Sequence, residues 1–300
     1  MTELVAIDWG TSSFRLYILD SHGNITEKHV TDEGIMAVEG RQYGQVLKRN
    51  LEEMKIGGDL PIICSGMITS KNGWFETEYV PCPATAGDIA ANLACFETTD
   101  FGRIHFVPGV KQLEPQPDIM RGEETQLLGL TSQARQVIIL PGTHSKWVTV
   151  ENETILEFTT FMTGDLYNAL TSNTILQAVK RTEWSEEDFR AGVWEGAARI
   201  RCGNGLLAGL FQTRVKSILE LDGRAASASY LSGFLIGTEI GEAGKTGFST
   251  SDNLLIAGGD TLTRYYRTAL AELGIKSKPA PADSAAYGLF RIARLKKLIG

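Results

Sequence analysis

The sequence predicts an α/β protein built from two structural copies of one domain. Short apolar strands alternate with amphipathic helices along the chain, which is the pattern of an α/β protein. A chain of 300 residues is too long for one ordinary core and suits two domains. The arrangement of a strand, a turn containing Gly, Thr and Ser, and two further strands occurs near the N-terminus and again from Val137. These three observations together predict the fold class.

The first copy begins with three short apolar segments, 4–7, 14–19 and 25–30, separated by polar turns. Strands separated by such turns are typical of an antiparallel meander. Residues 43–54 carry apolar side chains at helical spacing and predict a crossover helix. The apolar segment 61–64 then predicts a buried strand.

The second copy repeats this order with predicted strands at 137–140, 146–150 and 154–158. A long helical region is expected from residue 166 to about 201, and a helix at 227–244, whose glycines recur every four residues and would allow a close helix contact. A strand at 254–257 precedes a helix over 262–273, with Gly274 as its C-cap. Residues 276–281 resemble a linker, and 284–298 predict a final helix.

Composition excludes several classes of function. The net charge is -7 and no block of Lys or Arg occurs, which disfavours a nucleic-acid-binding protein but allows a small anionic substrate. The four cysteines form no CxxC pair, so we expect buried free thiols in a reducing compartment rather than zinc or disulfides. No signal peptide or membrane span is expected, which predicts a cytoplasmic protein without membrane partners. The oligomeric state stays open, a homo-oligomer included.

The first turn, Asp8-Trp9-Gly10-Thr11-Ser12-Ser13, could present backbone N–H groups and hydroxyls to an anion. Asp8 would repel a phosphate, so its expected partner is the Mg²⁺ that accompanies ATP. The alternative is an ordinary hairpin turn, in which Asp and Gly are common. The chain contains neither GxxxxGK[ST] nor a suitably placed GxGxxG, which disfavours a P-loop kinase and a Rossmann fold.

Two later segments share this character. Pro141-Gly142-Thr143-His144-Ser145-Lys146 is a second polar turn, and a triphosphate could be held between one such turn from each copy. Gly258-Gly259-Asp260 joins a strand to a helix, which is a common geometry for nucleotide contacts in α/β proteins.

In this order, the three segments resemble the phosphate-1, phosphate-2 and adenosine motifs of the acetate-and-sugar-kinase/Hsp70/actin superfamily. Five stretches, spread over residues 5–270, resemble the 2-dehydro-3-deoxygalactonokinase family: VAIDWGTSSFRLYILD, SGMITSKNGW, MRGEETQLLGL, LPGTHSKWV and AGGDTLTRYYRTAL. The resemblance implies two RNase H-like domains of the actin/hexokinase type with an interdomain cleft. We expect residues 1–125 to carry the phosphate-1 turn and the sugar-acid site, and residues 126–300 the phosphate-2 turn and the adenosine site.

The resemblance also implies a function. It predicts ATP- and Mg²⁺-dependent phosphorylation of 2-dehydro-3-deoxy-D-galactonate on its terminal 6-hydroxyl, in galactonate catabolism. One alternative is a kinase of another sugar or sugar acid on the same fold. Others are an exopolyphosphatase-like phosphohydrolase, whose second turn is typically glycine-rich and acidic, and an actin-like filament or chaperone ATPase.

The same resemblance implies roles for individual residues. Glu123 occupies the place of the catalytic Asp of related sugar kinases, with Glu124 and Asp165 as rivals for the general base, although these residues could instead favour a helix start or cap a helix. The expected substrate ligands are Arg15, Lys71, Arg121 and Asp165. The expected catalytic residues are Glu123 and Asp8, and Asp8 is also the expected metal ligand. The expected ATP ligands are Gly10, Thr11, Ser12, Ser13, Gly142, Thr143, His144, Ser145, Lys146, Gly258, Gly259 and Asp260.

Overall fold

The structure is a computed structural model that describes residues 2–57, 60–130, 132–177, 183–219, 221, 227–248 and 253–300. The chain divides into two compact units. The first contains Met1–Ala134, Val150–Glu157 and Pro281–Gly300, and the second contains Arg135–Thr149 and Phe158–Ala280. Each unit combines a sheet with helices, as expected for an α/β chain.

The strands are β1 Thr2–Trp9, β2 Phe14–Asp20, β3 Ile25–Thr31, β4 Ile62–Ser65, β5 Tyr79–Pro81, β6 Ala84–Thr85, β7 Ala94–Thr98, β8 Gly102–Phe106, β9 Gly109–Gln112, β10 Asp118–Met120, β11 Gln136–Leu140, β12 Ser145–Glu151, β13 Thr154–Phe161, β14 Asn253–Ile256 and β15 Ser277–Pro279. The helices are α1 Tyr43–Glu53, α2 Ala86–Ala91, α3 Glu123–Leu128, α4 Thr163–Asn173, α5 Glu186–Arg201, α6 Leu206–Ile218, α7 Ala228–Lys245, α8 Asp260–Glu272 and α9 Ser284–Leu295.

The first unit is built on a sheet with the strand order β3-β2-β1-β4-β8-β7. β1 to β3 form the predicted antiparallel meander, and β4 runs parallel to β1 with Asp8 beside Ser65. The turns after β1 and β4 therefore begin at the same edge of the sheet. Apolar side chains of β1, β2 and β4 pack with those of α1 in one core, which fixes this edge.

The sheet of the second unit follows the same plan. The order β13-β12-β11-β14-β15 matches β3-β2-β1-β4-β8, which confirms the predicted structural repeat. β14 runs parallel to β11, with Ile256 beside Ile139, so the turns after these strands also begin at one edge. Thr154 and Ile155, at the start of β13, pair with β6 and group with the first unit.

Glycines let α5 and α7 pack at close range. A Cβ at Gly233 would lie 2.0 Å from the carbonyl oxygen of Phe189, and one at Gly237 would lie 2.1 Å from that of Val193. This contact confirms the close approach expected from the glycine spacing and fixes α7 in the second unit.

The structure differs from the sequence predictions in the C-terminal half. The predicted domain boundary after residue 125 differs from the observed division, because α9 packs on α3 and groups with the first unit. A Cβ at Gly288 of α9 would lie 1.9 Å from the carbonyl oxygen of Thr125, so this packing is close. The expected linker at 276–281 contains strand β15, which pairs with β14.

Two further expectations need correction. The helical region expected from 166 to 201 is divided into α4 and α5, with part of it outside the described residues, and α6 was not predicted. Of the cysteines, Cys64 is buried, whereas Cys95 and Cys202 are exposed and Cys82 is half-buried. In the part of the chain that the structure describes, no helix is long and apolar enough to cross a membrane.

Candidate active site

The turn at 10–13 connects β1 to β2 and is held by backbone hydrogen bonds. The Gly10 amide donates to the Ser13 carbonyl oxygen at 2.8 Å, and the Ile35 amide donates to the Gly10 carbonyl oxygen at 3.0 Å. Thr11 and Ser12 are exposed. The turn thus has a fixed shape and leaves two hydroxyls facing solvent.

Asp8 and Arg15 are paired across β1 and β2. They are direct neighbours in the strand register, and Nη1 of Arg15 donates to Oδ2 of Asp8 at 2.7 Å. Asp8 is only 6% exposed, and this burial raises its pKa, an effect that Arg15 opposes and that the charge of Glu123 reinforces. The two carboxylates Asp8 and Glu123 are therefore electrostatic neighbours in the first unit, beside the first turn.

Glycines bring three turns of the first unit together. Gly66, after β4, has a φ of 94°, and a Cβ there would lie 2.6 Å from the Trp9 carbonyl oxygen. Gly122, before α3, has a φ of 106°, and its Cβ would lie 3.0 Å from Cα of Gly66. Such contacts and angles require glycine. Neither Gly66 nor Gly122 is among the predicted site residues, although a glycine directly after a buried strand is a usable signal.

Glu123 and Glu124 have different surroundings at the start of α3. Oε2 of Glu123 accepts from the Arg121 amide at 3.0 Å, and Oε2 of Glu124 accepts from the Gly122 amide at 2.7 Å. Glu123 is half-buried, whereas Glu124 is fully buried and its Oε1 has no hydrogen-bond partner. Burial, with a further contribution from the charge of Glu123, raises the pKa of Glu124 to about 8. Glu124 therefore holds its proton at neutral pH.

The other cations of the first unit differ in their environment. Nη1 of Arg121 donates to the Thr69 carbonyl oxygen at 2.6 Å, Nη2 donates to that of Thr77 at 2.9 Å, and the guanidinium lies 4.3 Å from the ring centre of Tyr79. Arg121 thus connects the start of α3 to the segment before β5. Lys71 is exposed in the turn that leads toward this segment.

The second turn lies between β11 and β12, and the start of α4 packs against it. Thr143 and His144 are exposed, whereas Ser145 is buried and Lys146 is only 5% exposed within β12. The Asp165 amide donates to the Thr143 carbonyl oxygen at 2.9 Å. The prediction that Asp165 caps this helix is wrong, because Met162 occupies the N-cap position and no side chain caps it.

Gly258 and Gly259 lie between β14 and α8, and Asp260 begins α8; all three are exposed, and they lie beside this second turn. A Cβ at Gly258 would lie 3.3 Å from Cδ of Pro141, and the Gly258 carbonyl oxygen accepts from Oγ1 of Thr263 at 3.2 Å. The structure therefore brings two of the three predicted nucleotide segments together at one edge of the second unit's sheet.

The donor set suits a metal that arrives with its substrate. Among the described residues, no group of three or more His, Cys, Asp or Glu side chains is arranged to hold a metal ion. Mg²⁺ in kinases is bound by one or two carboxylates together with substrate phosphates and waters. Asp8, beside the 10–13 turn, offers a carboxylate of the kind that such an ion binds, and its Oδ2 also accepts from Arg15.

The fold has relatives of known structure. A Sinorhizobium meliloti protein, whose crystal structure carries the 2-dehydro-3-deoxygalactonokinase name, superposes with a TM-score of 0.86 at 33% identity, over 97% of this chain and 98% of that one. A component of the (R)-2-hydroxyglutaryl-CoA dehydratase of Acidaminococcus fermentans superposes with a TM-score of 0.54 at 14% identity, over 98% and 99% of the two chains, and shows a likeness of fold alone. The chain has the predicted two-domain actin/hexokinase-type fold.

Sequence comparison identifies the family. The "Probable 2-dehydro-3-deoxygalactonokinase DgoK1" of Rhizobium meliloti is 34% identical over 295 residues, which cover 96% of each chain. The 2-dehydro-3-deoxygalactonokinase of Escherichia coli is 28% identical over 94% of each chain. The model of the 2-keto-3-deoxy-galactonokinase family matches residues 8–292. This chain belongs to the 2-keto-3-deoxy-galactonokinase family.

Proposed function

We propose that this protein transfers the γ-phosphoryl group of ATP to the 6-hydroxyl of 2-dehydro-3-deoxy-D-galactonate, giving the 6-phosphate and ADP. The family match over residues 8–292 carries the proposal. Two curated relatives that align over nearly their whole length bear the name of this kinase. They do not favour the alternatives, a kinase of another sugar or an exopolyphosphatase-like hydrolase.

Glu123 is the proposed general base. The transfer needs a carboxylate that takes the hydroxyl proton as the new O–P bond forms and the bond to the leaving ADP breaks. Glu124 is unsuited to this step, because it is fully buried and its raised pKa of about 8 keeps it protonated at neutral pH. Glu123 is more accessible and lies close enough to Asp8 for its charge to raise the pKa of that residue.

The nucleotide is proposed to bind along the three turns. The exposed residues Thr11, Ser12, Thr143 and His144, with the open loop at 258–260, offer hydroxyls and backbone N–H groups to phosphate oxygens. Asp8 would hold Mg²⁺, which neutralises charge on the phosphate oxygens when it is bound. The burial of Lys146 favours a place in the sheet over direct contact with phosphate.

The sugar-acid carboxylate is proposed to bind the exposed cation Lys71 and the partly exposed Arg15, whose side chain is 40% exposed although it also bonds to Asp8. Arg121 is proposed to fix the substrate-binding segment rather than to touch the substrate, because its guanidinium already binds Thr69 and Thr77. Asp165 stays a candidate for a substrate hydroxyl. We expect the enzyme to act in the cytoplasm, in galactonate catabolism.

Product analysis tests this proposal directly. The purified protein is incubated with ATP, Mg²⁺ and the keto-deoxy acid, and the products are identified by mass spectrometry and phosphorus NMR. The proposal predicts one new phosphate monoester on carbon 6 and one ADP for each acceptor consumed. ADP formation that proceeds equally without the acid would identify a hydrolase and contradict the proposal.

A further inference from the structure

We infer that Glu239, on α7, is a positioning residue for the nucleotide-binding turns of the second unit; this inference rests on the proposed kinase function. Glu239 lies outside every motif of the sequence analysis and is 2% exposed. Its Oε1 accepts from Oγ of Ser145 at 2.7 Å and from Nε1 of Trp147 at 2.8 Å. Its Oε2 accepts from Oη of Tyr266 at 2.6 Å and from Oγ1 of Thr163.

Each of these donors belongs to an element that carries a predicted nucleotide segment or packs against one. Ser145 ends the 141–145 turn, and Trp147 follows it in β12. Thr163 begins α4, and the next residue, Gly164, lies close to the turn. A Cβ at Gly164 would be 2.3 Å from the carbonyl oxygen of Gly142. Tyr266 lies on α8, the helix that begins at the 258–260 loop. One carboxylate therefore connects the turn, α4 and α8.

The hydrogen bonds match an ionised carboxylate. Such a group has about four acceptor positions, and here four donors are directed at it, one of which, the indole N–H, can only donate. Burial raises the pKa of Glu239, while the bonds from Thr163, Tyr266, Trp147 and Ser145 lower it. Loss of the carboxylate would leave several buried donors without an acceptor, which is costly, and they would move to find new partners.

The position of Glu239 is itself well fixed. α7 packs closely on the backbone of α5 at Gly233 and Gly237, where a side chain at either position would clash with α5. A rigid helix that directs one carboxylate at three elements can set the place of the 141–145 turn. Displacing a group by about 1 Å can cost on the order of 100-fold in rate. The expected consequence is a defect specific to ATP rather than to the sugar acid.

The test compares Glu239→Gln with a matched variant on the same helix. The amide keeps the size of the side chain but offers only one acceptor oxygen, so we expect the KM for ATP to rise roughly tenfold, the effect of about one lost buried hydrogen bond. The KM for the sugar acid should stay within about twofold of the wild-type value, because its proposed ligands Lys71 and Arg15 belong to the first unit and make no hydrogen bond to Glu239. Thr238→Val is the control, because Thr238 is equally buried and donates to Phe234 within α7. It should leave both KM values unchanged.

A Glu239→Gln protein with a wild-type KM for ATP, and only a lower unfolding temperature, would overturn the inference. If this variant does not fold, Tyr266→Phe removes one hydroxyl donor and is expected to raise the KM for ATP roughly threefold, as a single weaker bond would; an unchanged KM would again overturn the inference. If the wild type does not phosphorylate the acid, the proposed function fails. Calorimetric affinities for ADP then test the inference alone, with weaker binding expected for both variants and not for Thr238→Val.

Discussion

At the residue scale, Asp8 is the proposed Mg²⁺ ligand. Asp8→Asn keeps the size of the side chain but removes the carboxylate proposed for Mg²⁺, so we expect kcat to fall at least about 100-fold, the lower end for a positioned catalytic group. Thermal unfolding monitored by circular dichroism is the control for folding, and its midpoint should change by only a few degrees. A nearly normal kcat at saturating Mg²⁺ would contradict this role.

The choice of base is tested by a pair of adjacent substitutions. Glu123→Gln should lower kcat by roughly 10²- to 10⁴-fold, the usual contribution of a positioned acid or base, with little change in the affinity for ATP. Glu124→Gln should retain most of the activity, because Glu124 is already protonated at neutral pH. Steady-state measurement of kcat for both variants distinguishes the two residues. A larger loss of kcat in Glu124→Gln than in Glu123→Gln would identify Glu124 as the general base.

Glu124 also predicts how stability depends on pH. Its pKa is raised from 4.5 to about 8, so the folded protein keeps the proton over a range in which the unfolded chain loses it. Its contribution to stability is therefore complete below about pH 4.5 and falls as the pH rises toward 8. Glu124→Gln removes this dependence of stability on pH. The urea midpoint of the variant should therefore rise relative to that of the wild type as the pH increases from 5 to 8. Parallel pH profiles would contradict the assignment.

At the residue scale, the sequence predicts which side chains carry reactive groups better than it predicts the hydrogen bonds and burial of those side chains. Asp8 and Glu123, both singled out from the motifs, lie close enough for the charge of Glu123 to raise the pKa of Asp8. The motifs do not reveal that Arg121 binds Thr69 and Thr77, that Lys146 is buried, or that Glu239 has four donors. Such contacts join residues far apart in sequence, and no local pattern encodes them.

At the scale of elements, the glycines of α7 give a matched pair of substitutions. Gly237→Ala would place a Cβ 2.1 Å from the Val193 carbonyl oxygen, so we expect a loss of about 1–3 kcal/mol or more in the free energy of unfolding. Gly244, on the same helix, has no atom within 4 Å of its Cβ position, and Gly244→Ala should gain up to about 1 kcal/mol. Urea unfolding measures both, and equal effects would contradict the packing of α7 on α5.

Elements with strong local signals were predictable, and those that depend on distant partners were not. The predicted helix at 43–54 matches α1, and the three N-terminal strands match β1 to β3, because periodicity and turns mark them. The segment 276–281 resembles a linker, since Lys and Pro are poor strand formers, yet pairing with β14 makes it a strand. Likewise, α9 groups with the first unit through a close contact at Gly288, which no local sequence signal indicates.

At the scale of the whole molecule, the proposed activity as a sugar-acid kinase predicts which acceptors the protein selects. A site that contains cations for a carboxylate leaves them without partners when a neutral sugar binds, which lowers affinity. We therefore expect discrimination against neutral acceptors. Epimers of the acid keep the carboxylate and differ by one hydroxyl, so the same reasoning does not rank them.

The most direct test is an acceptor panel with ADP detection under one set of conditions. The panel contains 2-dehydro-3-deoxy-D-galactonate, its gluco epimer, galactonate, glucose and glycerol, and a reaction without acceptor is the control. We expect a higher kcat/KM for the two keto-deoxy acids than for glucose or glycerol, and negligible ADP formation without acceptor. A higher kcat/KM for glucose or glycerol than for the keto-deoxy acids, or equal ADP formation without any acceptor, would contradict the proposed function.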